Sequence, residues 1–302
     1  MSAARPAMQS GVRAVGDDRT RARMARLGVR SVALVYVLLI LALPVLTIFL
    51  RTFEGGLGPV LEAIHRPAFQ SAFWLTLTVT LIAVPINTVF GVIAALAIVR
   101  RRFPGRSLLN ALIDLPFALS PVIIGLSLIL VYGKHGWLGG FLADLGFTVI
   151  FALPGMILAT LFVSLPFVVR EVIPVLREIG TDAEEAAYTL GASQLRTFWR
   201  ITLPAIRWGV IYGIILTTAR SLGEYGAVAV VSGKIAGKTE TLTTHVEERY
   251  LAFDLVGAYV ASITLAVMAL LVLLGMQLLQ SGRLRRRRPD ERTSLPTPTM
   301  EI

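Results

Sequence analysis

Long apolar runs, broken by short polar stretches rich in arginine, dominate the chain from residue 31 to residue 279. The first, Ser31 to Leu50, carries no charge. A helix rising about 1.5 Å per residue needs about 20 such residues to cross the hydrocarbon of a bilayer. Further runs follow at Ser71 to Val99, Leu115 to Tyr132, Phe147 to Val169, Trp208 to Val231 and Leu255 to Leu279. The second is long enough to cross with tilt or to begin in the interface. The pattern predicts an all-α, polytopic membrane protein with six transmembrane helices. Pro44, Pro85, Pro121, Pro154 and Pro166 fall inside these runs. Neighbouring helices, hydroxyl side chains or water can satisfy the carbonyls that a membrane proline frees, so these residues read as kinks. Gly209 and Gly213, one turn apart at the start of the fifth run, favour close helix approach.

Composition agrees with lipid: 55% of residues are hydrophobic and 16% charged, against about a quarter charged in a soluble domain. The net charge of +10 does not imply nucleic acid, because the basic residues alternate with the apolar runs and share no single face. Their distribution sets the orientation. Residues 1–30 hold seven Lys and Arg, the loop Arg100 to Arg106 four, Arg170 to Arg207 five and the tail after Leu279 six, so one side carries 22. The other side carries six, namely Arg51, Arg66, Lys134, Lys234, Lys238 and Arg249. By the positive-inside rule both termini are expected in the cytoplasm. Residues 1–30 read as a disordered arm before an uncleaved first helix, 31–279 as the transmembrane domain, and 280–302 as a disordered basic tail. The Arg285 to Arg288 run suits contact with lipid headgroups.

No cysteine is present, which excludes disulfides, thiolate metal sites and iron–sulfur clusters. His65, His135 and His245 are too scattered for a histidine-rich metal site, and no nucleophile, base and orienting group gather on one side, so neither an enzyme site nor a cofactor is expected. Gly233 to Thr239 resembles a phosphate loop, but three residues separate its glycines where four are required. His245, Glu247, Glu248 and Asp254 are expected in a solvated external loop.

The most informative polar segment is Arg170 to Arg207, which reads as two short helices. Thr181 and Glu184 match a capping box, while Asp182, Glu184 and Glu185 suit the positive end of the helix dipole. Ala186, Ala187 and Leu190 give a small apolar face, and Gly191 stands where a left-handed residue would end the helix. Ser193 can cap a second helix carrying Leu195, Phe198 and Trp199, which Pro204 is expected to interrupt. Arg220 and Glu224, the charges deep in the fifth run, are four residues apart and are expected to share a helix face, either as a neutralising pair or as a gate for an anion.

Glu185, Ala186, Ala187, Gly191, Ile201, Leu203 and Pro204 resemble, in identity and spacing, the EAA signature of the inner-membrane permeases of ABC importers. The resemblance implies the type I (MetI-like) permease fold and a coupling loop over residues 181–204. Glu184, Glu185, Ala186, Ala187, Gly191, Ile201, Leu203 and Pro204 would seat in the groove of a separate ATPase subunit. Arg102 to Arg106, Asp114 to Phe117, Pro166 to Glu171 and Gly223 to Val228 resemble stretches of the sulfate/thiosulfate permeases. Val231 to Gly233 and Phe253 to Gly257 are more similar to the W-type subunit. Such a permease is expected to work with two copies of an ABC ATPase, a second similar permease, an extracytoplasmic sulfate-binding protein and membrane lipid. Molybdate and tungstate permeases share this architecture and remain the alternative. An ion-gradient-driven secondary transporter would require more intramembrane acids than Glu224 alone.

Overall fold

The computed structural model describes residues 28–286, so the expected N-terminal arm up to residue 27 and the basic tail from residue 287 lie outside the described residues. Two compact units divide at Gly56. The first holds helix α1 (Gly28–Phe53), 26 residues long, with a π turn at Leu38–Ala42. Pro44 follows two residues after that turn, and the Leu43 N–H donates to the Leu38 carbonyl five residues back. A proline ring presses on the carbonyl four residues before it, and the wider turn gives that carbonyl room.

The second unit contains α2 (Leu57–His65), α3 (Pro67–Arg100), α4 (Arg106–Ala118), α5 (Pro121–Tyr132), α6 (Gly139–Asp144), α7 (Leu153–Glu178), α8 (Asp182–Thr189), α9 (Gln194–Leu222), α10 (Gly226–Ser232), α11 (Leu242–Leu251) and α12 (Leu255–Arg286). Helix α7 is its centre, packing against α3, α9, α4, α5 and α10. Glycine permits the closest approaches. A Cβ on Gly91 of α3 would stand 2.7 Å from Val168 Cβ of α7, and one on Gly213 of α9 would stand 2.8 Å from Val168 Cα. Gly209 meets the Glu171 carbonyl in the same way, so the Gly209 and Gly213 pair does serve helix packing. Around these contacts Val92, Ala95, Ile98, Val169, Val172, Leu176 and Ile206 form an apolar core near the arginine-rich end. A second core, with Val79, Ile124, Met156, Val163, Val228 and Val231, lies toward the other end.

Polar ties cross these helices. Asn87 donates to Ser164 Oγ at 2.8 Å and to the Leu161 carbonyl at 3.0 Å. Arg170 of α7 donates through Nε to Asp114 Oδ1 at 2.7 Å and through Nη2 to Asn110 Oδ1 at 3.2 Å, which fixes α4 to α7.

Two predicted spans are broken where hydropathy reads them as continuous. Leu115 to Tyr132 is not one rod: α4 and α5 meet at 115°. Leu119 and Ser120 are extended before Pro121, because the proline ring disfavours helical geometry in the residue that precedes it. Likewise, α9 ends at Leu222 and a turn through Gly223 to Tyr225 leads into α10. The short second pieces pack together, with Gly125 of α5 against Val230 and Ala227, and Gly226 against Pro121. Among the described residues five helices are long and apolar enough to cross a membrane, and six spans result when α4 and α5 together count as one. Two boundaries also move. Pro204 does not interrupt the second loop helix, because the π turn Phe198–Thr202 precedes it as another precedes Pro44, and α9 continues. The last helix passes Leu279, the expected start of the tail, and runs to Arg286.

Candidate coupling hairpin and buried charges

Between α7 and α9 the chain forms a hairpin built on α8. Gly191 sits at φ +81°. Its N–H donates to the Tyr188 carbonyl at 3.0 Å and the Ala192 N–H to the Ala187 carbonyl at 2.9 Å, a Schellman closure at the residue where the sequence places it. Ser193 Oγ then accepts from the Arg196 N–H at 3.4 Å and starts α9. The capping box does not form. Thr181 occupies the N-cap without a side-chain bond, since its backbone is helical and its hydroxyl does not face the free N–H groups.

Glu184 is turned inward instead. Its Oε1 accepts from Thr202 Oγ1 at 2.9 Å and from Arg100 Nη2 at 3.2 Å, and its Oε2 lies 3.0 Å from Arg100 Nε. Arg100 is the residue that sequence reasoning missed. It stands beside Arg101 and Arg102 at the end of an apolar run, where a structural arginine and a topology arginine look alike.

The outward side of the hairpin differs in character. No residue of α8 is buried, and Glu185 and Ala186 are exposed. Leu190 is 87%, Leu195 68% and Trp199 60% exposed. Ile201 and Leu203 are half-buried, and Pro204 is exposed at the root of α9. The EAA residues thus divide into an open tip and a partly packed base.

Arg220 and Glu224 do meet, with Nη2 2.7 Å from Oε2, but they share no helix face, because Glu224 lies beyond the end of α9. Glu224 Oε1 accepts from the Ala227 N–H at 2.9 Å and caps α10. The Thr243 hydroxyl donates to the Glu224 carbonyl at 2.8 Å. The glutamate is therefore committed to structure, while the Arg220 side chain keeps 31% of its surface open.

The segment after α10 is folded and in part buried, which corrects the expectation of a solvated loop. His245 Nδ1 lies 2.7 Å from Glu240 Oε1, both side chains nearly sealed from solvent. Burial and the neighbouring Glu240 push the Glu248 carboxyl upward. Burial raises Glu240 too, but hydrogen bonds from His245 and Glu248 outweigh it and hold that carboxyl below the usual range. The segment resembling a phosphate loop is a turn. Thr239 Oγ1 donates to the Ser232 carbonyl at 2.6 Å, and Lys234 pairs with Glu247. Hydrogen bonds from Lys234 and Tyr225 lower Glu247, and the contact with Glu247 raises Lys234. Among the described residues no group of three His, Asp or Glu is arranged to hold a metal ion.

Residues 87–286 match the family described as the binding-protein-dependent transport system inner membrane component. The sulfate transport system permease protein CysW of Synechocystis sp. is 50% identical over 250 residues, covering 83% of this chain and 91% of the relative. The CysT permease of Synechococcus elongatus is 40% identical over 247 residues, covering 82% and 89%. Similarity is thus greater to the W-type subunit. In fold, a chain of the bacterial alginate ABC transporter superposes with a TM-score of 0.71 at 19% identity, covering 85% of this chain and 94% of that one. These matches span both the EAA hairpin and the helices that carry it, and the chain belongs to the family of binding-protein-dependent transport system inner membrane components, alongside the CysW sulfate permeases.

Proposed function

We propose that this chain is the W-type permease subunit of an ATP-driven sulfate importer, with thiosulfate as a related substrate. It forms half of the pathway and receives the work of a separate ATPase through residues 181–204. The observation that carries the coupling role is the hairpin tip. Leu190, at the end of α8 where a left-handed glycine closes it, and Leu195 and Trp199, at the start of α9, are large apolar side chains held out from the protein. In a monomer such a patch marks a partner surface. Two ATPase copies, a second permease similar to CysT and an extracytoplasmic binding protein complete the assembly in this reading. The basic end, with Arg101, Arg102 and Arg106, faces the cytoplasm together with both termini. Arg220, about a third open and paired with one oxygen of a glutamate whose other oxygen caps α10, is assigned to the anion pathway because its planar fork matches sulfate oxygens.

The test is radiolabelled sulfate uptake in a strain lacking its own importer, with membrane abundance and ATPase co-purification measured in parallel. The wild-type chain should restore uptake that excess molybdate does not abolish. Gly191→Asp and Glu185→Lys should insert normally, retain less ATPase and reduce uptake by at least about tenfold; a side chain at Gly191 meets a left-handed backbone costing roughly 1–2 kcal/mol. If both retain the ATPase and transport normally, the coupling assignment fails. Competition by molybdate at equal concentration would replace the substrate. Normal uptake by an Arg220→Gln, Glu224→Gln pair would remove Arg220 from the pathway.

A further inference from the structure

We infer that Arg100 is a positioning residue, a clamp that makes the coupling hairpin move as one body with the membrane helices; this rests on the ATPase-coupling reading above. Helix α8 has little else to hold it. None of its residues is buried, and it is flanked by Gly180 at φ +65° and Gly191 at φ +81°, both with open space around the position a Cβ would take. A cleft of about 530 Å³ lies beside it, lined in part by Arg100, Glu184, Tyr188 and Phe198. A short helix between two unobstructed glycine joints, next to a space it could enter, would swing when pushed and pass little of that motion to the spans.

The Arg100 guanidinium removes that freedom. As the last residue of α3, it donates to the Leu176 carbonyl near the end of α7 at 3.1 Å, to the Gly180 carbonyl in the joint at 2.7 Å and to Glu184 of α8 at 3.2 Å. Glu184 passes the connection to α9 through Thr202. Arg100 and Glu184 side chains are 14% and 12% exposed, so water competes weakly for these bonds. A rigid planar fork suits the task, because its donors diverge in fixed directions and four chain segments are joined at once. The carbonyls it takes lie at the end of a helix, where no amide of that helix remains to bind them and a cation is favoured.

Simple helix capping would contribute stability alone, whereas a clamp sets how much ATP each imported ion costs. The complete transporter, purified and reconstituted in vesicles, should therefore be assayed for ATP hydrolysis and sulfate uptake on the same sample. Arg100→Ala is expected to retain the ATPase and hydrolyse ATP within about twofold of wild type while importing about tenfold less sulfate, raising the ATP-to-sulfate ratio by at least about fivefold. Arg100→Lys keeps one charged contact but not the fork and should fall between. Glu184→Ala leaves Arg100 on its two carbonyls and removes only the links to α8 and to Thr202 of α9; it serves where Arg100→Ala does not accumulate and should raise the ratio in the same direction. Equal losses of hydrolysis and uptake, or an unchanged ratio, would overturn the inference alone. A wild-type complex that holds no ATPase would overturn the reading beneath it as well.

Discussion

Residues 180–204 and 223–254 both interrupt apolar helices with polar sequence, yet the first pushes Leu190, Leu195 and Trp199 into the open while the second buries Glu224, Glu240, Thr241, Thr244 and His245. Within the first, α8 is joined to the body mainly through its glycine joints and the Arg100 to Glu184 contact, while Phe198 and Leu203 of α9 pack on the apolar core. The second is tied repeatedly: Thr243 to the Glu224 carbonyl, the Leu242 N–H to Thr76 Oγ1 at 2.8 Å, and His245 to Glu240, with Phe69 edge-on to the imidazole. A segment that closes the protein on itself must satisfy its polar groups internally, because burying them unpaired is costly. A segment presented to a partner can leave apolar groups exposed until the partner covers them. Polarity in sequence therefore did not distinguish surface from interior in these two regions; hydrogen-bond partners did.

The sharpest way to break this contrast is at Glu240. Glu240→Ala leaves His245 without its buried partner and should cost about 2 kcal/mol, read as a lower thermal midpoint in detergent, with Glu240→Gln intermediate. Leu190→Ser, on the exposed tip, should change stability by no more than about 0.5 kcal/mol. If Leu190→Ser proved the more damaging to folding, the division between a self-packed region and a presented one would be wrong.

A smaller effect on the molecule is expected from Leu190→Asp with Trp199→Ala. These changes should leave the thermal midpoint within about 2 °C while weakening ATPase capture about tenfold in a pull-down. Loss of stability without loss of capture would mean that the tip packs against this chain instead of a partner.

The smallest effect concerns the Lys234 and Glu247 contact. Glu247 is held below the usual carboxylate range, first by the Lys234 hydrogen bond, so its stabilisation is fully present above the unfolded-state value of about 4.3 and is lost as pH falls through the lower folded value. Glu247→Gln should lower the thermal midpoint by about 1–2 °C at neutral pH, and this difference should vanish in acid. A difference that widened in acid would show that the pair contributes nothing of this kind.

Much of the hairpin was legible because its instructions are local. Gly191 ends a helix wherever it lies, through its own backbone freedom and hydrogen bonds reaching no more than five residues, and Ser193 likewise starts the next. Glu184 was misread because two local and distant partners competed for one carboxylate. The sequence shows the N-terminal amides near at hand, but Arg100, 84 residues away, won it.

The sequence by itself determined the all-helical class, the positions of the long apolar helices and the EAA signature, since hydrophobicity and backbone chemistry act over a helix's own length. Tertiary structure alone decided which apolar runs break, because Pro121 and Gly226 make their turns productive only when α5 and α10 pack on one another. It also decided which of the three arginines at the end of α3 and just after it meets helix-end carbonyls and a carboxylate. Arg100, Arg101 and Arg102 are chemically the same, and only the carbonyls and carboxylate brought to Arg100 by α7 and α8 separate it from its neighbours.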